Sequence, residues 1–197
     1  MKKFKLFSLI CIMMITLSGC KKGEPSIKVS QIETNTMLVK SDGSLQVAII
    51  EDFEKSYYDK DELKEYVKEA IDTFNQSVNN EKAVTLKTLE KRKENVIMVL
   101  NYQNFDYYAK FNEVEAYYYD GISNDVLNQL PDTLQCITEG ESIEKGQMES
   151  IDQKKVIIVN EEYNLIIRGK IKYYSNGTIV NSKEIQTVPE GTIVIYE

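Results

Sequence analysis

The stretch DKDELKEYVKEAIDTFNQSVNN, residues 59–80, decides the fold. Its apolar residues Leu63, Tyr66, Val67, Ala70, Ile71, Phe74 and Val78 fall at relative positions 0, 3, 4, 7, 8, 11 and 15. That spacing lays them along one stripe of a 3.6-residue helix. Asp59 with Glu62 three residues on resembles a capping box in which Asp supplies the cap. Asn79-Asn80 offers a left-handed stop. The charged face (Asp61, Glu62, Lys64, Glu65, Lys68, Glu69) reads as solvated. An amphipathic helix of this kind needs an apolar sheet to cover.

Hairpin patterns flank the helix. Thr36–Lys40 and Leu45–Glu51 are apolar-rich runs around Ser41-Asp42-Gly43-Ser44, and Asp-Gly between two such runs marks a tight turn. On the other side, Val84–Leu89 and Val96–Leu100 enclose a polar turn over Glu90–Asn95. The second arm is apolar on both faces, as expected of a central strand. Asn104 is placed to cap a short helix through Phe111, and Ser123 another through Gln129, stopped by Pro131. Residues 139–155 are polar and read as a long mobile loop. The tail reads as strands over Val156–Val159, Leu165–Tyr174, Thr178–Val180 and Ile193–Tyr196, with Asn176-Gly177 as a hairpin turn. The expected fold class is α+β: antiparallel hairpins with one main amphipathic helix packed on a sheet, followed by a β-rich C-terminal part.

Composition narrows the function. The chain has 197 residues, 24 Lys+Arg against 31 Asp+Glu, no His and no Trp. Lacking His, it has neither the commonest general base nor the commonest metal ligand. A formal charge of −7 argues against nucleic acid, whose phosphates need a basic patch. No metal-ligand or nucleotide-binding pattern stands out, and no cofactor is expected.

The N-terminus carries an address. Met1-Lys2-Lys3-Phe4-Lys5 is basic, and Leu6–Leu17 is apolar apart from Ser8 and Thr16. Twelve helical residues span about 18 Å, short of the ~30 Å hydrocarbon core, so this is a signal peptide pattern rather than a membrane span. The run ends Leu17-Ser18-Gly19-Cys20, which resembles the lipobox of bacterial lipoproteins. The resemblance covers about twenty residues. It implies cleavage after Gly19, a diacylglyceryl group on the Cys20 thiol, fatty-acyl chains of the palmitate type, and attachment to the outer face of the cell membrane. Two chains hold far better than one, at about 0.8 kcal/mol per buried methylene. Cleavage removes three lysines and no acid, taking the formal charge from −7 to −10. The expected organisation is residues 1–19 as signal peptide, 20–35 as a lipidated flexible tether and 36–197 as the globular part, with possible sub-parts 36–130 and 131–197. Beyond the anchor, the chain resembles small uncharacterised Gram-positive lipoproteins in pattern only. Cys136 lies in the apolar-rich run Thr133–Thr138 and reads as a small buried hydrophobe.

Catalytic motifs are weak. Ser142-Ile143-Glu144-Lys145 matches the S-x-x-K of penicillin-binding proteins, but Gly140 and Gly146 flank it and no S-D-N or K-T-G occurs. Asp59-Lys60-Asp61-Glu62 lacks the glycine and distal Glu of a calcium loop. The tyrosines carry more. Nine of thirteen cluster as Tyr57-Tyr58, Tyr107-Tyr108, Tyr117–Tyr119 and Tyr173-Tyr174. Strand neighbours point to opposite faces, so the last two clusters should each expose a ring unless both sheet faces are covered. Tyr118 and Tyr174 are the expected surface anchors. The functional expectation is a non-catalytic binding or adaptor module engaging an envelope protein or wall polymer. The alternative is a wall or carbohydrate hydrolase using a carboxylate pair. A transporter's solute-binding component is disfavoured by size, since such proteins usually need two lobes.

Overall fold

A computed structural model describes residues 25–197. The expected signal peptide, the expected lipidation site Cys20 and residues 20–24 of the expected tether lie outside the described residues. In chain order the strands and helices are β1 (Thr36–Val39), β2 (Leu45–Asp52), α1 (Lys60–Ser77), β3 (Val84–Arg92), β4 (Asn95–Tyr102), α2 (Phe105–Asn112), β5 (Ala116–Tyr119), α3 (Asn124–Gln129), β6 (Thr133–Cys136), β7 (Ser142–Glu144), α4 (Lys145–Met148), β8 (Lys155–Val159), β9 (Asn164–Ile167), β10 (Ile171–Ser175), β11 (Thr178–Asn181), β12 (Glu184–Gln186) and β13 (Thr192–Tyr196). This is the expected α+β fold with a β-rich C-terminal part. No helix among the described residues is long and apolar enough to cross a membrane.

The strands form two sheets. The first has order β11-β12-β9-β1-β2-β4-β3 and the second β5-β8-β13-β10-β6-β7. Both expected hairpins are present. Gly43, at φ 80°, closes the β1–β2 turn, where Asp42 Oδ1 accepts from Ser44 N at 3.0 Å. The β3–β4 turn is tighter than expected, because pairing continues to Arg92↔Asn95 and Lys93 takes the left-handed conformation at φ 57°. Helix α1 starts where the sequence places it: Asp59 Oδ1 accepts from the N–H groups of Asp61 (2.7 Å) and Glu62 (3.0 Å). Asn79, at φ 51°, ends it. The caps of α2 and α3 are Asn104 and Ser123, as expected.

Strand alternation assigns the two faces of the first sheet. Met37, Val39, Leu45, Val47, Val96 and Leu100 join one core with Val67 and Ile71 of α1 and with Ile157, Val194 and Tyr196 of the second sheet. Leu38, Ala48, Ile97 and Val99 point the other way, which is why β1 is buried at every residue. Their cover is the segment expected to be a flexible tether. Ile27 and Ile32, both buried, pack on this outer face with Val29, and Val29–Gln31 forms a 3₁₀ turn. Gln46 Oε1 accepts from Ile27 N at 2.8 Å, and Lys87 Nζ donates to Ile27 O at 2.7 Å. Arg92 donates to Ile32 O at 2.6 Å and to Val29 O at 3.2 Å. At the far end Asn35 Oδ1 accepts from Ile50 N at 2.9 Å. Residues 25–35 are therefore a strap bound to the body. Two apolar side chains five apart in a polar run are enough once a matching surface lies beneath them.

The sub-parts 36–130 and 131–197 do not correspond to the sheets. β9, β11 and β12 extend the first sheet, with β9 parallel to β1, and β5 enters the second. The expected strand Leu165–Tyr174 is two strands, β9 and β10, in different sheets. Gly169 lies in the break, where an added Cβ would fall on the Glu197 carbonyl oxygen. Asn176 and Gly177 do adopt positive φ (53° and 90°), but the turn passes the chain from β10 to β11 across sheets rather than closing a hairpin. The expected loop 139–155 is instead ordered as β7, α4 and a 3₁₀ turn. Buried Ile143 and Met148 hold it against Val156 and Ile195 on the far side of the second sheet.

Candidate functional site

Both faces of the second sheet are thus covered, and this decides the fate of the expected tyrosine anchors. Tyr174 packs into the main core while Tyr173 packs into the cluster on the far face. Tyr118 stacks on Phe105 with ring centroids 5.7 Å apart and lies against the Gly43 turn. Tyr118 and Tyr174 are thus half-buried rather than free surface rings, although Tyr174 still lines a groove of about 520 Å³ beside Pro131 and Gln135. Tyr117 keeps 42% of its surface exposed and stacks on Tyr119 at 6.2 Å. Tyr108 is buried, donates to Glu161 and sits 3.1 Å from the Tyr163 hydroxyl. Burial pushes its phenol far up, and its two bonds tie α2 to the β8–β9 connection.

The two most exposed tyrosines lie elsewhere. Tyr57 is 75% exposed, Tyr66 71% and Tyr58 42%, and all three line one groove of about 550 Å³. Its floor is Ile49 of β2, Val96 and Met98 of β4, Phe53 and Leu63. Three local features build it. β2 ends at Asp52, and Phe53 N still donates to Glu94 O at 2.6 Å, carrying the β2–β4 register one residue further before the chain leaves the sheet. Tyr58 N then donates to Lys55 O at 3.1 Å, closing a turn that carries Tyr57 and Tyr58 above the sheet. The Asp59 cap launches α1, which brings Glu62, Leu63 and Tyr66 over the same opening. Phe53 and Tyr58 stack at 5.1 Å, and Tyr57 meets Tyr58 edge-on at 4.9 Å. The neighbouring Tyr57 hydroxyl, through the charge it would carry when ionised and a hydrogen bond, pushes the Tyr58 phenol above its ordinary value.

The groove is acidic. Glu51, Asp52, Asp59 and Glu62 line it, and among the described residues none of the four forms an ion pair. Asp59 is committed to the helix cap and Asp52 Oδ1 accepts from Glu54 N at 2.9 Å. Glu51 and Glu62 make no such local bond. One cation does approach: Lys91 Nζ sits over the Phe53 ring, 5.2 Å from its centroid. A second groove of about 530 Å³ between α1 and β3 has a mixed lining, with Lys64, Lys68 and Lys87 beside Asp72 and Glu81. The aromatic groove combines an apolar floor with net negative charge, which makes it the stronger recognition surface.

The remaining sequence candidates are not brought to it. Ser142 and Lys145 lie at β7 and its end, and Lys145 Nζ donates to Leu130 O at 2.9 Å. Cys136 is half-buried in β6, and burial pushes its thiol up, away from the reactive range. Sequence reasoning counted Tyr66 among the core residues. Its warning was angular: at 100° per residue it stands roughly 75–80° from the centre of the stripe, at the margin where an amphipathic ring can leave the core. No family model, curated protein or solved structure matches the chain, so the groove is read from its own chemistry.

Proposed function

We propose that the protein is a lipid-anchored, non-catalytic binding module outside the cytoplasmic membrane, holding an envelope partner in the Tyr57–Tyr58–Tyr66 groove. One observation carries this reading. In the β2–β4 pair, Ile50 and Ile97 face the strap while their neighbours Ile49 and Met98 floor the groove. The N-terminal strap and the groove therefore occupy opposite faces of one sheet. An anchor at Cys20 would reach the strap through residues 20–24, about 18 Å at most for an extended chain. The body then sits close to the bilayer on its strap side and offers the groove outward. Exposed tyrosines suit such a role, being large, rigid and polar at the tip.

Crosslinked capture from intact cells, with the anchored protein, tests this. Tyr57→Ala combined with Tyr66→Ala removes two exposed rings that support no core, so the fold stays intact. Capture falls by roughly tenfold or more, the scale of a tyrosine hot spot. Tyr117→Ala, an exposed ring on the second sheet that does not line the groove, leaves capture unchanged. Equal capture by the double variant and the parent would refute the reading. Release of wall fragments by the purified parent would turn the case toward a hydrolase.

A further inference from the structure

Resting on that reading, we infer that the groove takes a cationic amphipathic peptide segment, with an apolar or aromatic side chain on the floor and a Lys or Arg at the rim. Two independent features point to this chemistry. The first is charge. Four carboxylates line an opening whose floor is apolar, and none has a basic partner among the described residues. Glu51 comes from a strand and Glu62 from the facing helix, so an ammonium between them would meet negative charge from both walls. An anionic ligand would meet the same charges as repulsion, which excludes acidic polymers as well as acidic peptides.

The second feature is the Lys91 ammonium over Phe53. It shows the ring arrangement already accepting a cation from the protein's own chain. Phe53 and Tyr58 form a stacked pair, and Tyr57 and Tyr66 are largely uncovered. A guanidinium or ammonium on these faces gains both the ring quadrupole and the rim carboxylates. The apolar floor of Ile49, Val96, Met98 and Leu63 asks for more than a bare ion. A peptide carrying both kinds of side chain uses every wall of the groove.

Fluorescence anisotropy with the purified chain and three labelled peptides tests the inference: acetyl-Lys-Leu-Lys-Phe-Lys-amide and the versions with Gln or Glu in place of Lys. In low salt the Lys peptide binds at least tenfold tighter than the Gln peptide, the Glu peptide binds weakest, and the gap narrows as salt rises. Tyr57→Ala with Tyr66→Ala weakens the Lys peptide at least tenfold. Glu51→Gln with Glu62→Gln abolishes the preference for Lys over Gln, whereas Glu139→Gln with Glu141→Gln, on an exposed turn elsewhere, leaves it intact. Equal binding of the three peptides, or equal effects of the two Glu pairs, overturns the inference. If envelope capture still depends on Tyr57 and Tyr66 in that event, the binding reading stands and only the ligand class is wrong.

Discussion

Replacing Ile27 and Ile32 together by Ser destabilises the protein by about 3–6 kcal/mol in urea unfolding, on the scale of burying or losing two large aliphatic side chains. Both residues are buried against Leu38, Ala48, Ile97 and Val99, and a serine there removes the apolar contact while adding a hydroxyl. The strap's polar contacts do not compensate, because the Gln46, Lys87 and Arg92 bonds can be exchanged for bonds to water. Once the strap lifts, the outer face of the first sheet is exposed, so binding of an apolar dye rises at the same time. A flexible tether would give a different result: surface substitutions in a mobile segment stay within about 0.5 kcal/mol. A neutral double variant would therefore restore the tether and remove the proposed geometry between anchor and groove.

The second large effect is expected at Asn75, the one Asn buried on α1. Its Oδ1 accepts from Val84 N at 3.0 Å, and its Nδ2 donates to Val84 O at 2.9 Å and to Glu81 O at 3.0 Å. The side chain thus substitutes for a strand neighbour at the start of β3, an edge strand, and pins the end of α1 to the sheet. Asn75→Leu keeps the size but strands a buried N–H and a buried carbonyl. Each unsatisfied group costs about 1–3 kcal/mol, so a loss of about 3–4 kcal/mol is expected in thermal or urea unfolding. Asn75→Asp retains the acceptor and loses both donated bonds, so it is destabilising at neutral pH and partly recovers in acid, where a protonated carboxyl can donate again. A cost below about 1 kcal/mol for Asn75→Leu would show that water reaches these groups.

The parts of the fold legible in the sequence are those fixed by near neighbours. Seven apolar positions in one stripe with an Asp59 cap specify α1, and Asp42-Gly43 specifies the first hairpin, whatever the rest of the chain does. Sheet membership is a different kind of fact. Nothing near Gly169 signals that Glu197 will press on it, so Leu165–Tyr174 reads as one strand when it is two. Asn176-Gly177 has the same local geometry whether the flanking strands pair or part, and here they part. Ile27 and Ile32 reveal the strap only once Ile97 and Val99 supply a surface.

The site divides in the same way. Clustered tyrosines were visible as a recognition signal, but alternation along a strand cannot say whether the second face is covered. Tyr118 and Tyr174 turn to the main core, while α3, β7 and α4 cover the other face and take up Tyr119 and Tyr173. Tyr57, Tyr58 and Tyr66 come together only because the Lys55–Tyr58 turn and the cap at Asp59 fold the β2–α1 connection back over the sheet. Their acidic neighbours lie at 51, 52, 59 and 62, too far apart along the chain to stand out among 31 acids.

The central claim is that one face of the first sheet belongs to the anchor and the opposite face to the partner. Energy transfer in membrane vesicles tests it most directly, on material whose intact mass shows the acyl chains at Cys20. Cys136→Ser leaves no other thiol in the processed chain, so single labels can be placed through Lys28→Cys on the strap and Glu62→Cys at the groove. Against an acceptor in the lipid headgroups, the strap label shows strong transfer and the groove label weak transfer. Equal transfer from the two positions, or stronger transfer from the groove, would contradict the account.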